Sequence, residues 1–240
     1  DVFFVGIKLT KKIYIKKISN RVRSLLVPYL IWNAIFILLY LVKTVPLISS
    51  YSTENDIVFG WREFFMSFWG YNKTAPVDAF GYIFPINYPL WFLRDLMIVV
   101  VCTPLVNLLI KRIRWYGIVL LGIVWLFANV QGWGRITQLA SAFFFFSFGA
   151  YMSLNRLDMV TEFGKYSKLS VVLYFLLGCC YILLVEQIHE VASFIKLMRI
   201  FVGLLFAYNL AVYLLKKGYC KVNKFLASSS FFIYLSHAWV

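Results

Sequence analysis

Charge is scarce in this sequence. Only 14% of its 240 residues are Asp, Glu, Lys or Arg, and just 10 of them are acidic. A water-soluble domain carries about 25% charged and about 45–50% apolar residues, so a chain that is 62% hydrophobic is not an ordinary soluble fold. The same composition excludes disorder, which requires low hydrophobicity. Cysteine is sparse too: Cys102, Cys179 and Cys180 fall in apolar runs and Cys220 in a basic segment, without any CxxC pair. Neither a disulfide framework nor a metal site is expected from them. A Walker A loop, GxGxxG, HExxH and GxSxG are all missing, which leaves ATP-driven transport, dinucleotide binding and zinc hydrolysis without support. No internal repeat or low-complexity linker is legible.

What the chain has in quantity is apolar helix. A bilayer crossing takes about 20 mainly apolar residues, and seven stretches qualify: 25–43, 89–110, 116–130, 136–153, 169–186, 195–215 and 225–240. The fold class that follows is an all-α, polytopic transmembrane helix bundle in a single domain, residues 1–240. Residues 1–9 are apolar but too few to span, so they read as the exit of an earlier helix, and both ends of the sequence are expected to be truncated. Aromatic residues make up 20% of the chain and suit lipid-facing and interfacial positions.

In a soluble chain a net charge of +14 would point to nucleic acid. Here the basic residues cluster between apolar stretches, which makes them a topology signal instead, and no nucleic acid is expected. Placing 8–23 in the cytoplasm puts 111–114, 155–168 and 216–224 there as well, and together these segments hold seventeen of the 24 Lys and Arg residues. The connector 44–88 then lies outside. It holds Val58, Phe59, Trp61, Phe64, Phe65, Phe68 and Trp69 at partly helical spacing, which predicts a short interfacial helix. That helix reads either as an inert anchor or as a lid over a substrate. Pro76, Pro85 and Pro89 predict turns before the next span.

A few polar groups stand where a membrane makes them expensive. Arg94 and Asp95 lie several residues inside a span, where ionisable groups usually face the bundle interior or a watery cavity; the other reading is snorkelling of Arg94 to the headgroups. His237 lies in the last span, suited either to proton relay or substrate contact or to a plain interhelical hydrogen bond. His189 sits in an outer turn beside Glu186 and Glu190. Lys196 and Arg199 share a helix face at i, i+3, and either anchor at the interface or pair with those glutamates. The connector with Lys8, Lys11, Lys12, Lys16, Lys17, Arg21 and Arg23 suits anionic lipid or the phosphates of a nucleotide-containing donor. Pro28, at the fourth position of its span, is tolerated because early helix positions need no backbone donor.

Four stretches together resemble the integral-membrane acyltransferase family 3, whose members move acetyl or related groups onto cell-surface sugars. They are Lys16-Lys-Ile-Ser-Asn-Arg-Val-Arg-Ser-Leu-Leu-Val-Pro-Tyr-Leu-Ile-Trp-Asn33, Tyr88-Pro-Leu-Trp-Phe-Leu-Arg-Asp-Leu96, Phe143-Phe-Phe-Phe-Ser-Phe-Gly149 and Ser230-Phe-Phe-Ile-Tyr-Leu-Ser-His237. The resemblance implies about ten helices in a complete member, with the catalytic basic residue and histidine in and near a first helix that precedes this stretch. It implies donor binding by Arg21 and Arg23, with Lys17 beside them, although Ser24 stands where a strict Arg-x-x-Arg would place its second arginine. His237 matches a recurrent family histidine and is the catalytic candidate present. Trp91, Arg94 and Asp95 fall at the Trp-Phe-Leu motif and are candidates for an acceptor cavity or its support.

The function implied is transfer of an acyl group from a cytoplasmic acyl-CoA, such as acetyl-CoA, to a cell-surface or exported glycan at a bacterial plasma membrane, with no bound cofactor. A base is required because a neutral sugar hydroxyl is a poor nucleophile. The competing reading is an exporter of polysaccharide or small molecules. Discontinuous helices or inverted repeats would favour it, and the sequence displays neither.

Overall fold

The computed structural model describes residues 11–43, 60–70, 84–221 and 223–236, and every regular element among them is helical. In chain order these are α1 (Lys11–Arg21), a π-helical turn (Val22–Leu26), α2 (Val27–Lys43), α3 (Trp61–Trp69), a 3-10 turn (Tyr88–Leu90), α4 (Trp91–Val101) and α5 (Thr103–Ile113). After them come α6 (Trp115–Val130), α7 (Gly134–Leu154), α8 (Met159–Gly164), α9 (Ser167–Leu184), α10 (His189–Lys216) and α11 (Lys224–Ser236). The all-α class follows from the apolar composition, since lipid offers backbone groups no partner and a helix satisfies them internally.

Lys11–Leu39, Ser167–Leu184 and Glu190–Lys216 are each long and apolar enough to cross a membrane. Their outward faces agree with that. On α9, Leu169, Val172, Phe175, Leu176, Ile182 and Leu183 are all exposed, an apolar surface that water would not tolerate. The spans read at 116–130, 136–153, 169–186 and 195–215 coincide with α6, α7, α9 and α10, the last of which begins six residues earlier, at His189.

Two boundaries differ from the sequence reading. Helix does not start near residue 25: α1, the π turn and α2 form one helical run from Lys11 to Lys43, so Pro28 sits well inside a helix. Proline there removes the bond to the carbonyl four residues back and crowds it. The π turn just upstream, in which the Val27 amide donates to the Val22 carbonyl, widens the helix and accommodates the ring. The stretch 89–110 is also not one straight helix. Tyr88–Val101 and Thr103–Ile113 meet at 64°.

Pro104 causes that break, because it has no amide to offer the Val100 carbonyl. The Thr103 hydroxyl bonds that carbonyl instead, at 2.6 Å. The Leu105 amide turns to the Cys102 carbonyl, which frees the Val101 carbonyl to accept from the Tyr14 hydroxyl at 2.7 Å. The break is thereby latched to α1.

The core forms around α7, whose buried residues Gly134, Gln138, Ala142, Phe144, Ser147 and Ala150 recur at helical spacing. Trp125 of α6 stacks on Phe144 at 5.2 Å between ring centroids, and Phe201 of α10 lies 5.9 Å from the same ring. A second cluster joins Leu25, Tyr29, Leu90, Leu93 and Leu235. The turn from α6 into α7 requires positive φ at Gly132 (64°) and Gly134 (44°), which glycine adopts without steric cost. That tight turn aims the first residues of α7 at α4.

Candidate functional site

One turn into α4, Arg94 and Asp95 are 2% and 0% exposed. Two such charges persist away from water only if paired and hydrogen-bonded. Arg94 Nε donates to Asp95 Oδ1 at 2.9 Å. From the start of α7, Arg135 Nη1 donates to Asp95 Oδ1 and Oδ2 at 2.5 and 2.6 Å. Gln138, one turn further along α7, is buried, and its Oε1 accepts from Arg135 at 3.2 Å and from Arg94 at 3.5 Å. Among the described residues the centre therefore holds two guanidiniums against one carboxylate, a net positive charge.

α3 closes over this centre. The last carbonyls of a helix lack intrahelical donors and carry the negative end of its dipole, and here tertiary partners fill the final three. The Ser67 carbonyl accepts from the Ile86 amide at 2.8 Å, the Phe68 carbonyl from the Tyr29 hydroxyl, and the Trp69 carbonyl from Arg94 Nη1. Both guanidiniums also lie over the Trp69 ring, at 5.4 Å for Arg94 and 5.8 Å for Arg135, a cation–π geometry. At its other end Glu63 accepts from the Gly60 amide at 3.1 Å, anchoring the first turn.

Below α3 lies a cavity of about 510 Å³ whose walls include Arg21 and Val22 of the α1–π segment, Tyr29 of α2, Phe65, Phe68 and Trp69 of α3, and Arg94 with Val100 and Val101 of α4. Arg21 and Tyr29 are eight residues apart, about 12 Å along the helix. An almost wholly apolar passage thus separates two cationic ends. The π turn and the break at Cys102 both border it.

A second polar knot orders the neighbouring elements. Buried Asn33 donates through Nδ2 to the Tyr29 carbonyl at 2.8 Å and accepts from the Asn87 amide at 3.3 Å. Asn87 Nδ2 then reaches the Leu235 carbonyl at 3.2 Å, and the Tyr234 hydroxyl donates to the Pro89 carbonyl. These bonds fasten α11 to the turn that opens α4. Gln138 Nε2 and Asn87 Oδ1 are buried polar atoms without a protein partner among the described residues. No group of three His, Cys, Asp or Glu side chains among those residues stands close enough to hold a metal ion.

A family model described as an acyltransferase domain, that of acyltransferase family 3, matches residues 3–240. The chain belongs to that family. It is also 30% identical over 149 residues to the succinoglycan biosynthesis protein ExoH of Rhizobium meliloti (strain 1021), a match covering 61% of this chain and 36% of that relative. The chain thus spans well under two thirds of the relative's length. No solved structure matches it significantly.

For this member of acyltransferase family 3, the geometry sorts the residues singled out by sequence. Arg94 and Asp95 lie deep among the helices and bond each other, not snorkelling to headgroups, and Arg94 bonds the α3 carbonyl next to the one that Tyr29 bonds. They reach that depth because residues 85–90 enter the bundle before α4 begins, with Pro85, Asn87, Pro89 and Leu90 buried. Arg21 lines the cavity, whereas Arg23 is exposed and does not. Two residues turn the helix by about 200°, so the pair cannot share a face. Lys17, one turn before Arg21, is half-buried.

Trp91 is not the aromatic at the centre: it packs edge-on against Phe84 at 6.5 Å and Phe92 at 6.1 Å, and Trp69 takes the expected place. The short helix expected in the connector is present as α3, and its C-terminal carbonyls meet Tyr29 and Arg94. Val58, Phe59, Pro76 and His237 lie outside the described residues, and at His189 only the backbone is described, as the first residue of α10. Lys196 and Arg199 form no ion pair with Glu186 or Glu190.

Sequence reasoning missed Arg135, Gln138, Asn33, Asn87 and Trp69. In the sequence Arg135 is one more basic residue at the end of an apolar run. The available signal was an Arg and a Gln three residues apart on a helix otherwise rich in Phe.

Proposed function

We propose that this chain is the core of a membrane O-acyltransferase that takes an acyl group from a cytoplasmic acyl-CoA, acetyl-CoA being the simplest donor, and passes it to a hydroxyl of a cell-surface or exported glycan. The observation that carries this reading is the apolar cavity bounded by Arg21 at one end and by the Arg94–Asp95–Arg135 centre at the other. Arg21, with Lys17 one turn away, is suited to donor phosphates, and the passage beyond suits the thin pantetheine arm and its acyl group. Family membership supports the chemistry, and the relative's assignment to succinoglycan biosynthesis supports a glycan as acceptor. The bacterial source of the relative supports a bacterial plasma membrane, and the positive-inside bias supports Arg21 toward the cytoplasm and 44–88 outside.

In this scheme the sugar oxygen attacks the thioester carbonyl, its proton passes to a base, and the coenzyme A thiolate leaves. The Arg94 guanidinium on the cavity wall stabilises the negative oxygen that develops on the carbonyl. Asp95 is not the base. Both its oxygens already accept from guanidiniums, so it serves as the counter-charge that positions Arg94 and Arg135. His237, which follows α11 in sequence, is the histidine of this stretch proposed to contact the acceptor. Membranes bearing the full-length protein should transfer label from [14C]acetyl-CoA to an added polysaccharide; absence of transfer with every acyl-CoA and glycan tried, beside an active control, would overturn the reading.

One observation favours the exporter alternative, the 64° break between α4 and α5, since discontinuous helices are common at transport sites. Activity of the purified protein in detergent, where no gradient exists, separates the two.

A further inference from the structure

A groove of about 480 Å³ runs between α9 and α10, walled by Tyr174, Lys196, Arg199, Ile200, Leu204 and Ala207 among others. The Arg199 guanidinium lies 5.1 Å from the centroid of the Tyr174 ring. Two glycines shape the space: a Cβ at Gly178 would stand 3.7 Å from the Arg199 guanidinium carbon, and one at Gly203 would stand 3.1 Å from the Tyr174 ring. Lys196 and Arg199 project from one face of α10 at i, i+3, and no carboxylate among the described residues lies within ion-pair distance of either.

Both helices are among the three long and apolar enough to cross a membrane. Lys196 and Arg199 are six and nine residues past Glu190, about 9 and 14 Å along α10. An uncompensated cation at such a position is expensive. The rest of the groove is apolar, and the exposed side chains of Ile200 and Leu204 open it sideways to the acyl phase.

We propose that this groove binds an anionic phospholipid, with the headgroup phosphate between Lys196 and Arg199 and an acyl chain along Ile200, Leu204 and Ala207. Charge complementarity selects the headgroup: Arg199 offers forked donors to phosphate oxygens and Lys196 a second cation. The lateral opening selects a lipid over a soluble anion. The Tyr174 ring holds the guanidinium against the helix pair, so that little side-chain freedom remains to be lost on binding. The site is independent of the acyl-transfer reading, because it shares no residue with the cavity beneath α3.

The test uses the full-length protein, delipidated in detergent and titrated with dioctanoyl-phosphatidylglycerol, dioctanoyl-phosphatidylcholine or inorganic phosphate, with bound lipid counted by native mass spectrometry. Saturable binding of the phosphatidylglycerol is expected. Arg199→Gln and Lys196→Gln should each raise its apparent Kd about ten-fold or more, the loss of one charged hydrogen bond, while Arg199→Lys keeps most of the affinity. Ala207→Phe, which leaves both cations in place and fills the acyl channel, should also weaken it and provides the check if Arg199→Gln fails to fold. Equal affinity in wild type and all these variants overturns the proposal. So does equal binding of the phosphatidylcholine, or displacement of the lipid by millimolar phosphate.

Discussion

Asp95 holds two guanidiniums with one carboxylate, so its replacement has consequences beyond the lost bonds. In Asp95→Asn, Arg94 and Arg135 keep their charges and lose their counter-ion, and breaking a buried pair in this way costs about 3–5 kcal/mol. The variant should unfold at a clearly lower temperature in detergent and lose transfer activity; a melting curve matching the parent would show that the centre is solvated. The divergence of Arg21 and Arg23 gives a second prediction. Arg21→Gln should raise the KM for acyl-CoA about ten-fold with the acceptor KM unchanged, whereas Arg23→Gln, on the exposed face, should alter it less than two-fold. Equal effects of the two substitutions would sink the assignment of Arg21 to donor phosphate.

At the scale of elements, two prolines do different things. Pro28 is absorbed by a π turn and its helix continues, while Pro104 breaks its helix into α4 and α5 at 64°. The difference lies in what serves the carbonyls released: at the break, Thr103 and Tyr14 supply hydroxyl donors to Val100 and Val101. Pro104→Ala restores the missing amide and should straighten the pair. Spin labels at the exposed positions Phe92 and Leu108 should then move apart by about 3 Å, as expected from the helical rise over the two arms. An unchanged separation would mean that packing against α1, and not proline, sets the bend. α3 is held chiefly by its C-terminal carbonyls, which explains how a helix with Trp61, Phe65 and Trp69 so exposed keeps one orientation over the cavity.

Across the described residues, a buried cluster of two arginines and one aspartate stands among apolar helices, with Arg21 of α1 on the wall of the cavity beside it. If the basic segments face the cytoplasm, the connector 44–88 should be cleaved by protease added to the outside of intact spheroplasts, and 155–168 only after lysis. The reverse pattern would invert the scheme and put Arg21 on the wrong side for a cytoplasmic donor. The cavity beneath α3 and the proposed lipid groove share no lining residue, so a variant of one should leave the other's ligand affinity within about 0.5 kcal/mol, as distant sites usually do.

Composition alone determined that this chain is a helical membrane bundle. Its apolar runs marked α6, α7, α9 and α10, because a run of mainly apolar residues stands out against the basic and polar connectors on either side of it. Four short stretches also sufficed for the family resemblance, and Arg94 and Asp95 stood out because charge inside a span is rare. The tertiary structure decided the rest. Whether Arg94 turns inward depends on Arg135, forty residues on, which looks from sequence like any basic residue at a span end. Trp69 and Trp91 are equally aromatic in the sequence, and only the docking of α3 sets one of them over the guanidiniums. Arg21 and Arg23 parted for a simpler reason: one helical run carries both, and its rotation lets only one of them face the cavity.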